Sequence, residues 1–191
     1  MLETLFIAKS KIRQALLTLF FTDPSKSYYL RELERMLGYS AGSIRRELLR
    51  FQKDNLFTTQ KVGNLLFYHL NTTHPLFEEL KSIVSKTVGV EGSLRKELSS
   101  IKTIETAFIY GSFASKREKA GSDIDLMIIG NPNISFLNQK IARLEEKLKR
   151  EINITTYFPE EYQNKRNDKS GFIMDILNNP KILLVGIEDA L

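Results

Sequence analysis

The segment FIYGSFASKREKAGSDIDLMIIG, residues 108–130, contains two apolar stretches separated by a polar loop. Gly111-Ser112 ends the first stretch, and after ten further residues Asp123-Ile124-Asp125 begins the second. Short apolar runs bounded by glycine and polar residues are typical of buried strands. The segment therefore predicts two strands of one sheet, with two acidic residues where the second strand starts.

The two acidic residues have the spacing of a metal-binding pair. Side chains at i and i+2 of a strand point to the same face, about 6.6 Å apart, while Ile124 between them points into the core. The chain has no cysteine and only two histidines, which excludes thiolate sites and disfavours zinc. Because carboxylates prefer hard cations, any metal bound by Asp123 and Asp125 would be Mg²⁺ or Mn²⁺. Taken alone, the pair fits solvent-facing acids at a strand end better than a metal site.

The residues around the pair are of types that can contact phosphate groups. Gly111 has no side chain to block a phosphate, and the amide and hydroxyl of Ser112 can donate hydrogen bonds to its oxygens. Ser122 is expected to shape the turn into the acidic strand. Lys116 in the loop is predicted to meet a phosphate, although an exposed loop lysine is equally compatible with simple solvation.

This pattern resembles the signature of the DNA polymerase β-like nucleotidyltransferase superfamily, especially its minimal members. The resemblance spans roughly Thr106 to Phe158. It implies a small mixed sheet in which Asp123 and Asp125 are the catalytic acids and bind Mg²⁺ or Mn²⁺. It further implies a nucleoside triphosphate as ligand or substrate, held by Gly111, Ser112, Ser122 and Lys116, and transfer of a nucleoside monophosphate. It also implies a possible antitoxin-like role beside a toxin-like protein partner, because minimal members often act in such pairs.

One position departs from that family pattern. Active members usually carry a third carboxylate on a later strand, flanked by apolar residues. The counterpart here is Asn153 between Ile152 and Ile154, and an amide is neither a base nor a charged ligand. Glu151 would share its face by strand alternation and is a candidate for the missing charge. Catalysis by two metals and nucleotide binding without catalysis both stay open.

The distribution of charge divides the chain into two parts. The net charge is +5, and residues 1–87 contain 13 Lys and Arg against 8 Asp and Glu, whereas residues 88–191 contain 15 of each. A basic half beside a neutral half predicts different partners for the two, the first of them a polyanion. We therefore expect two domains, 1–87 and 88–191.

The first domain is predicted to contain helices followed by a β-hairpin. The helices are expected at Glu3–Thr22, Leu30–Leu37, Ala41–Asp54 and Pro75–Val84, and the strands at Leu56–Val62 and Leu65–Leu70, joined by Gly63-Asn64. From Tyr28 to Leu70 this order resembles the winged helix-turn-helix of ArsR-like regulators. The resemblance implies that the third helix enters the major groove of double-stranded DNA and that the hairpin lies along the backbone.

Seven residues of that segment are predicted to contact DNA. Arginine suits both guanine edges and phosphates, and the hairpin offers polar groups to the backbone. The predicted set is Ser40, Ser43, Arg45, Arg46 and Arg50 on the helix with Lys61 and Asn64 on the hairpin. The alternative is a protein–protein adaptor, because winged helices serve in that role too.

The second domain is predicted to be an α/β layer, so the fold class is α/β (α+β): a winged helix-turn-helix followed by a small mixed-sheet nucleotidyltransferase fold. Strands are expected at Ala107–Tyr110, Ile124–Ile129, Ile152–Phe158 and Ile182–Val185. Helices are expected at Ser93–Ser100, Ser135–Arg150 and Gly171–Leu177.

These features lead to two hypotheses of function. The first is a DNA-binding transcriptional regulator whose second domain binds a metal-nucleotide. The second is an active nucleotidyltransferase that modifies a protein, RNA or small molecule and is recruited by its winged helix. Because no apolar run could span a bilayer, we expect a cytoplasmic protein without membrane contact. Winged helices generally read two half-sites, which favours a homodimer.

Overall fold

The computed structural model describes residues 10–115, 117 and 122–187. The chain forms two compact units, Met1–Val90 and Glu91–Leu191, and the predicted boundary lies three residues earlier. Both units combine helices with a small sheet, so the predicted mixed α and β fold class is confirmed. Within the described ranges, no helix has the length and apolarity needed to cross a membrane.

In its described part, residues 10–90, the first unit consists of four helices and a three-stranded antiparallel sheet. Its elements are α1 (Lys11–Thr22), β1 (Ser27–Tyr29), α2 (Leu30–Leu37), α3 (Ala41–Lys53), β2 (Phe57–Val62), β3 (Leu65–Leu70) and α4 (Phe77–Thr87). The sheet has the order β1-β3-β2. The sequence pattern missed β1, because three residues are too few to show alternation. The predicted start of α1 at Glu3 lies outside the described residues.

The turn between α2 and α3 is built from residues that end one helix and begin the next. Gly38 adopts the left-handed conformation, with φ 70°, and its amide donates to the Glu34 carbonyl. Ser40 then caps α3, since its hydroxyl accepts a hydrogen bond from the Ser43 amide. These local signals explain why both helix boundaries agree with the prediction to within one residue.

The core of the first unit lies between α1, α3 and the sheet. Phe20 is fully buried, and its ring makes edge contacts with Tyr28 and Phe57 at centroid distances of 5.1 and 4.5 Å. Ile44 and Leu48, one turn apart on α3, are also fully buried in this cluster. These apolar residues of α3 therefore face the core, and its arginines are exposed.

The second unit is a four-stranded mixed sheet with five helices among its described residues. Its elements are α5 (Val90–Leu98), β4 (Ile104–Tyr110), α6 (Gly111–Ala114), β5 (Ile124–Gly130), α7 (Ile134–Leu148), β6 (Ile152–Tyr157), α8 (Pro159–Asn167), α9 (Gly171–Asn178) and β7 (Ile182–Val185). The strand order is β6-β5-β4-β7, with only the β5–β6 pair parallel.

One face of this sheet is covered by α8 and α9. Met127 and Ile129 of β5 pack in one cluster with Tyr162 of α8 and Ile173 of α9. The sequence pattern missed α8 because its residues are nearly all polar, and Tyr162 is its one buried side chain among those described. Since Asp125 shares the face of Met127 by alternation, the acidic pair lies beside this covered region.

Candidate nucleotide site

Asp125 lies in the middle of a row of three side chains that crosses the sheet. In β5 it is paired with Tyr110 of β4 on one side and with Asn153 of β6 on the other. Directly paired residues on neighbouring strands point to the same face. Asp123 precedes β5 and is exposed, whereas Asp125 is half-buried. The fold thus brings the predicted acidic pair, and the residue predicted in the third position, to one place.

Gly111 lies directly against the Asp125 side chain, so a larger residue here would have to displace that carboxylate. Its φ is +73°, in the left-handed region that favours glycine, and a Cβ placed there would collide with the Asp125 carboxylate. The chain turns here from β4 directly into α6, which contains Ser112. The Gly-Ser step therefore passes directly beside a carboxylate, as a site for a metal-bound phosphate would require.

Asn153 directs its amide group toward the acidic pair. Its Nδ2 donates to Asp123 Oδ2 over 3.4 Å. Among the residues that the structure describes, no three acids or histidines converge well enough to bind a metal ion. Glu151 therefore does not complete a carboxylate triad here, contrary to the expectation from strand alternation. Glu151 is exposed and precedes β6, and its carbonyl accepts the Ile124 amide over 2.9 Å.

The donor set nevertheless suits one hard divalent cation. Asp123 and Asp125 would provide carboxylate oxygens, and a rotated Asn153 amide would add a neutral oxygen. Oxygen ligands of this kind match Mg²⁺ or Mn²⁺ rather than softer metals. A cation bound there would neutralise phosphate charge, which the two carboxylates alone would repel.

Sequence reasoning missed Arg150, which is 6% exposed and lies between α7 and β6. Its Nε donates to the Ser122 carbonyl over 2.9 Å, and its guanidinium lies over the Phe113 ring, 5.2 Å from the centroid. It thereby contacts both the segment that leads into the acidic pair and the helix that follows Gly111. The prediction placed Arg150 at a helix end, where a basic residue is unremarkable.

Aromatic side chains border the site on the α9 side. The Tyr110 hydroxyl and Thr155 Oγ1 are 3.2 Å apart, and the Phe172 ring meets Tyr110 edge-on at 6.1 Å. Burial, and to a smaller extent the negative charge of Asp125, raise the pKa of Tyr110. Phe172 is 46% exposed, so an apolar surface is open beside the polar row.

Three further residues are predicted to contact the nucleotide or to shape its site: Ser112, Lys116 and Ser122. Ser122 is half-buried, and its carbonyl is bound by Arg150, which fits a role in shaping the strand entry. Lys116 lies outside the described residues. Ser112 is half-buried, and its carbonyl accepts the Ser115 hydroxyl over 3.2 Å.

The predicted DNA-contact residues all lie in the first unit, on α3 and on the β2–β3 hairpin (Phe57–Leu70), here called the wing. Arg45, Arg46 and Lys61 are exposed, and Asn64 lies in the turn of the wing. The other three are engaged locally. Ser40 caps α3, Ser43 Oγ accepts from the Arg46 guanidinium over 3.2 Å, and Arg50 pairs with Glu47 over 2.8 Å.

A comparison with protein families finds a match within the second unit. Residues 93–185 match the family described as "Polymerase beta, Nucleotidyltransferase". This part of the chain is therefore similar to nucleotidyltransferase domains. The match begins in α5 and ends with β7, so it includes the whole four-stranded sheet and the acidic pair. It does not extend to residues 28–70, for which the predicted resemblance to ArsR-like regulators is not supported by these comparisons.

Similar solved structures are distant. A toxin-antitoxin crystal structure with AMP-PNP shares 16% identity with this chain at a TM-score of 0.39, and a mutant of the toxin-antitoxin MntA-HpeT shares 14% at a TM-score of 0.38. Each match covers 52% of this chain and 75% of the other. The chain has no match among curated proteins.

Proposed function

We propose that the second unit binds a metal-complexed nucleoside triphosphate and transfers a nucleoside monophosphate to an acceptor hydroxyl. In this reaction the acceptor oxygen bonds to the α-phosphorus, and pyrophosphate leaves. The observation that carries the proposal is the contact of Gly111 with Asp125, which places an unobstructed backbone beside a carboxylate pair. The nucleotidyltransferase family match over residues 93–185 supports it.

Each side chain of the row has a role in this proposal. Asp123 and Asp125 bind a divalent cation, which neutralises triphosphate charge. Ser112 donates to a phosphate oxygen, and Arg150 positions the segment before the acidic pair. Asn153 leaves the site one negative charge short of the usual family set. We therefore expect slow transfer, since electrostatic stabilisation of the developing charge is a large catalytic contribution.

Incubation of the full chain with α-labelled nucleotides and Mg²⁺ or Mn²⁺ tests this function. Cell extract, total RNA and duplex DNA are added in separate reactions to supply acceptors, including a toxin-like protein. Labelled product should fall by about 100-fold in Asp125→Asn, because loss of a metal ligand removes several kcal/mol of stabilisation. Asp168→Asn, an exposed carboxylate at the end of α8, is the matched control and should be unaffected.

Asn153→Asp provides the complementary change. A carboxylate beside Asp123 should raise Mg²⁺ affinity and the transfer rate, and should lower thermal stability in the presence of EDTA through charge repulsion. Calorimetry that detects no Mg²⁺-dependent nucleotide binding by the wild type would refute the proposed function. Binding without any labelled product would instead favour nucleotide sensing.

DNA-binding regulation is the second candidate, and the exposed Arg45 and Arg46 on α3 favour it. Arg45→Ala with Arg46→Ala should then weaken duplex binding and reduce its salt dependence. Titration with a labelled duplex at two salt concentrations measures both. A homodimer would be needed to read two half-sites, and sedimentation equilibrium tests that expectation.

A further inference from the structure

A cleft of about 300 Å³ opens between α3 and the wing in the first unit. The start of α2 forms its third side. Its lining residues include the aliphatic Leu49, Leu65 and Leu66 and the basic Arg31 and Arg45. None of these residues takes part in the nucleotide site.

The aliphatic side chains of the cleft are unusually accessible. Leu49 is 51% exposed, Leu65 44% and Leu66 45%. Single exposed leucines are ordinary on a protein surface, but several around one concavity indicate an interaction site. Leu49 lies one turn beyond Arg45 on α3, so the outward face of this helix is partly apolar.

The floor of the cleft also offers an open strand edge. On the β1 side, β3 is paired from His69 to Phe67, because the chain leaves the sheet after Tyr29 to begin α2. On the other side the pairing with β2 continues to Leu65. In the part of the chain that the structure describes, Leu65 and Leu66 therefore have no strand partner on the β1 side, and an extended peptide can add there.

The charged residues around the cleft indicate the net charge of a peptide that would bind there. Arg45 is exposed, and Arg31 forms an ion pair with Glu34 over 2.6 Å. None of the described lining residues is acidic. An acidic peptide complements this rim. A second copy of the chain would bring the same arginines opposite one another. Duplex DNA would place phosphates against Leu65 and Leu66, which gain nothing from that contact.

We propose that this cleft binds an extended segment of a partner protein that combines aliphatic or aromatic side chains with acidic residues. The apolar side chains enter between Leu49 and Leu66, the peptide backbone pairs with β3, and the acidic groups meet Arg45 and Arg31. This recruitment is independent of whether the second unit transfers a nucleotide.

A displayed library of random twelve-residue peptides, selected on the immobilised full chain, tests the proposal. Enriched sequences should contain both acidic and large apolar residues. Their synthetic forms should bind about tenfold more weakly to Leu49→Gln and to Arg45→Ala, as loss of an interface anchor typically does. Leu76→Gln and Lys86→Ala are the matched controls, since Leu76 is 55% exposed and Lys86 is an exposed lysine of α4.

Thermal unfolding of all four variants verifies that each is folded. Absence of enrichment, or peptides whose affinity is the same for the cleft variants and the controls, overturns the proposal. Competition with a 25-base-pair duplex (about that length covers two half-sites) distinguishes the other partner class. Tight duplex binding at physiological salt that is lost in both Arg45→Ala and Leu49→Gln would assign the surface to DNA and also overturn the proposal.

Discussion

Gly111 and Asp125 constrain each other at the scale of single residues. The glycine adopts φ +73°, and the space where its Cβ would lie is taken by the Asp125 carboxylate. Sequence spacing predicted that both residues belong to one site. It did not predict their contact, because that depends on how β4 pairs with β5, where Tyr110 lies opposite Asp125.

Gly111→Ala should therefore destabilise the second unit and abolish nucleotide binding. The left-handed conformation alone costs a non-glycine residue about 1–2 kcal/mol, and displacement of the carboxylate adds to it. Thermal unfolding and nucleotide calorimetry measure the two effects. Gly171→Ala, where a Cβ meets no atom within 4 Å, is the control. Equal melting temperatures and equal nucleotide affinities of Gly111→Ala and Gly171→Ala would contradict a specific role for Gly111.

At the scale of elements, the junction between α7 and β6 contacts the segments that form the candidate nucleotide site. Arg150 binds the carbonyl that precedes Asp123 and lies on the ring that follows Ser112, so one side chain connects both halves of the motif. The predicted helix ended at Arg150, whereas α7 ends at Leu148. Lys149 adopts a left-handed conformation there, with φ 54°, which ends the helix.

Arg150→Met should lower the free energy of unfolding by about 1–3 kcal/mol, because it removes the buried guanidinium that donates to the Ser122 carbonyl. Nucleotide affinity should fall as well, since the entry to the acidic pair loses its anchor. Arg143→Met, an exposed arginine in the middle of α7, is the matched control and should change neither quantity. Chemical denaturation and calorimetry give the two values. Stability loss with normal affinity would restrict Arg150 to a structural role.

At the scale of the whole molecule, hydrophobic clusters of the described residues lie in separate stretches of the chain. The cluster around Phe20 and Leu48 is formed within the first unit, and the cluster around Met127 and Tyr162 within the second. Each sheet is likewise complete within its own unit. A core that is built from one continuous stretch of chain can fold independently of the other.

The predicted domains 1–87 and 88–191 should therefore each fold when expressed alone. Each fragment should unfold in one cooperative thermal transition, and the second should retain the nucleotide affinity of the full chain. Circular dichroism and calorimetry are the measurements, with the full chain as reference. A fragment 88–191 without a cooperative transition would show that its core depends on the first unit.

The sequence by itself determined the nature of the elements and of the acidic pair. Apolar periodicity, the Gly38 and Ser40 helix boundaries and the Gly63-Asn64 turn are local signals, and local signals need no knowledge of distant residues. The same holds for Asp123 and Asp125, whose common face follows from the two-residue period of a strand.

Only the tertiary structure decided what surrounds that pair. Strand pairing placed Asn153 beside Asp123, and the turn after α7 placed Arg150 within hydrogen-bond distance of the Ser122 carbonyl. The open edge of β3 likewise depends on where β1 ends in space. These contacts join residues far apart in the chain, and their geometry is set by packing and strand register rather than by local propensity.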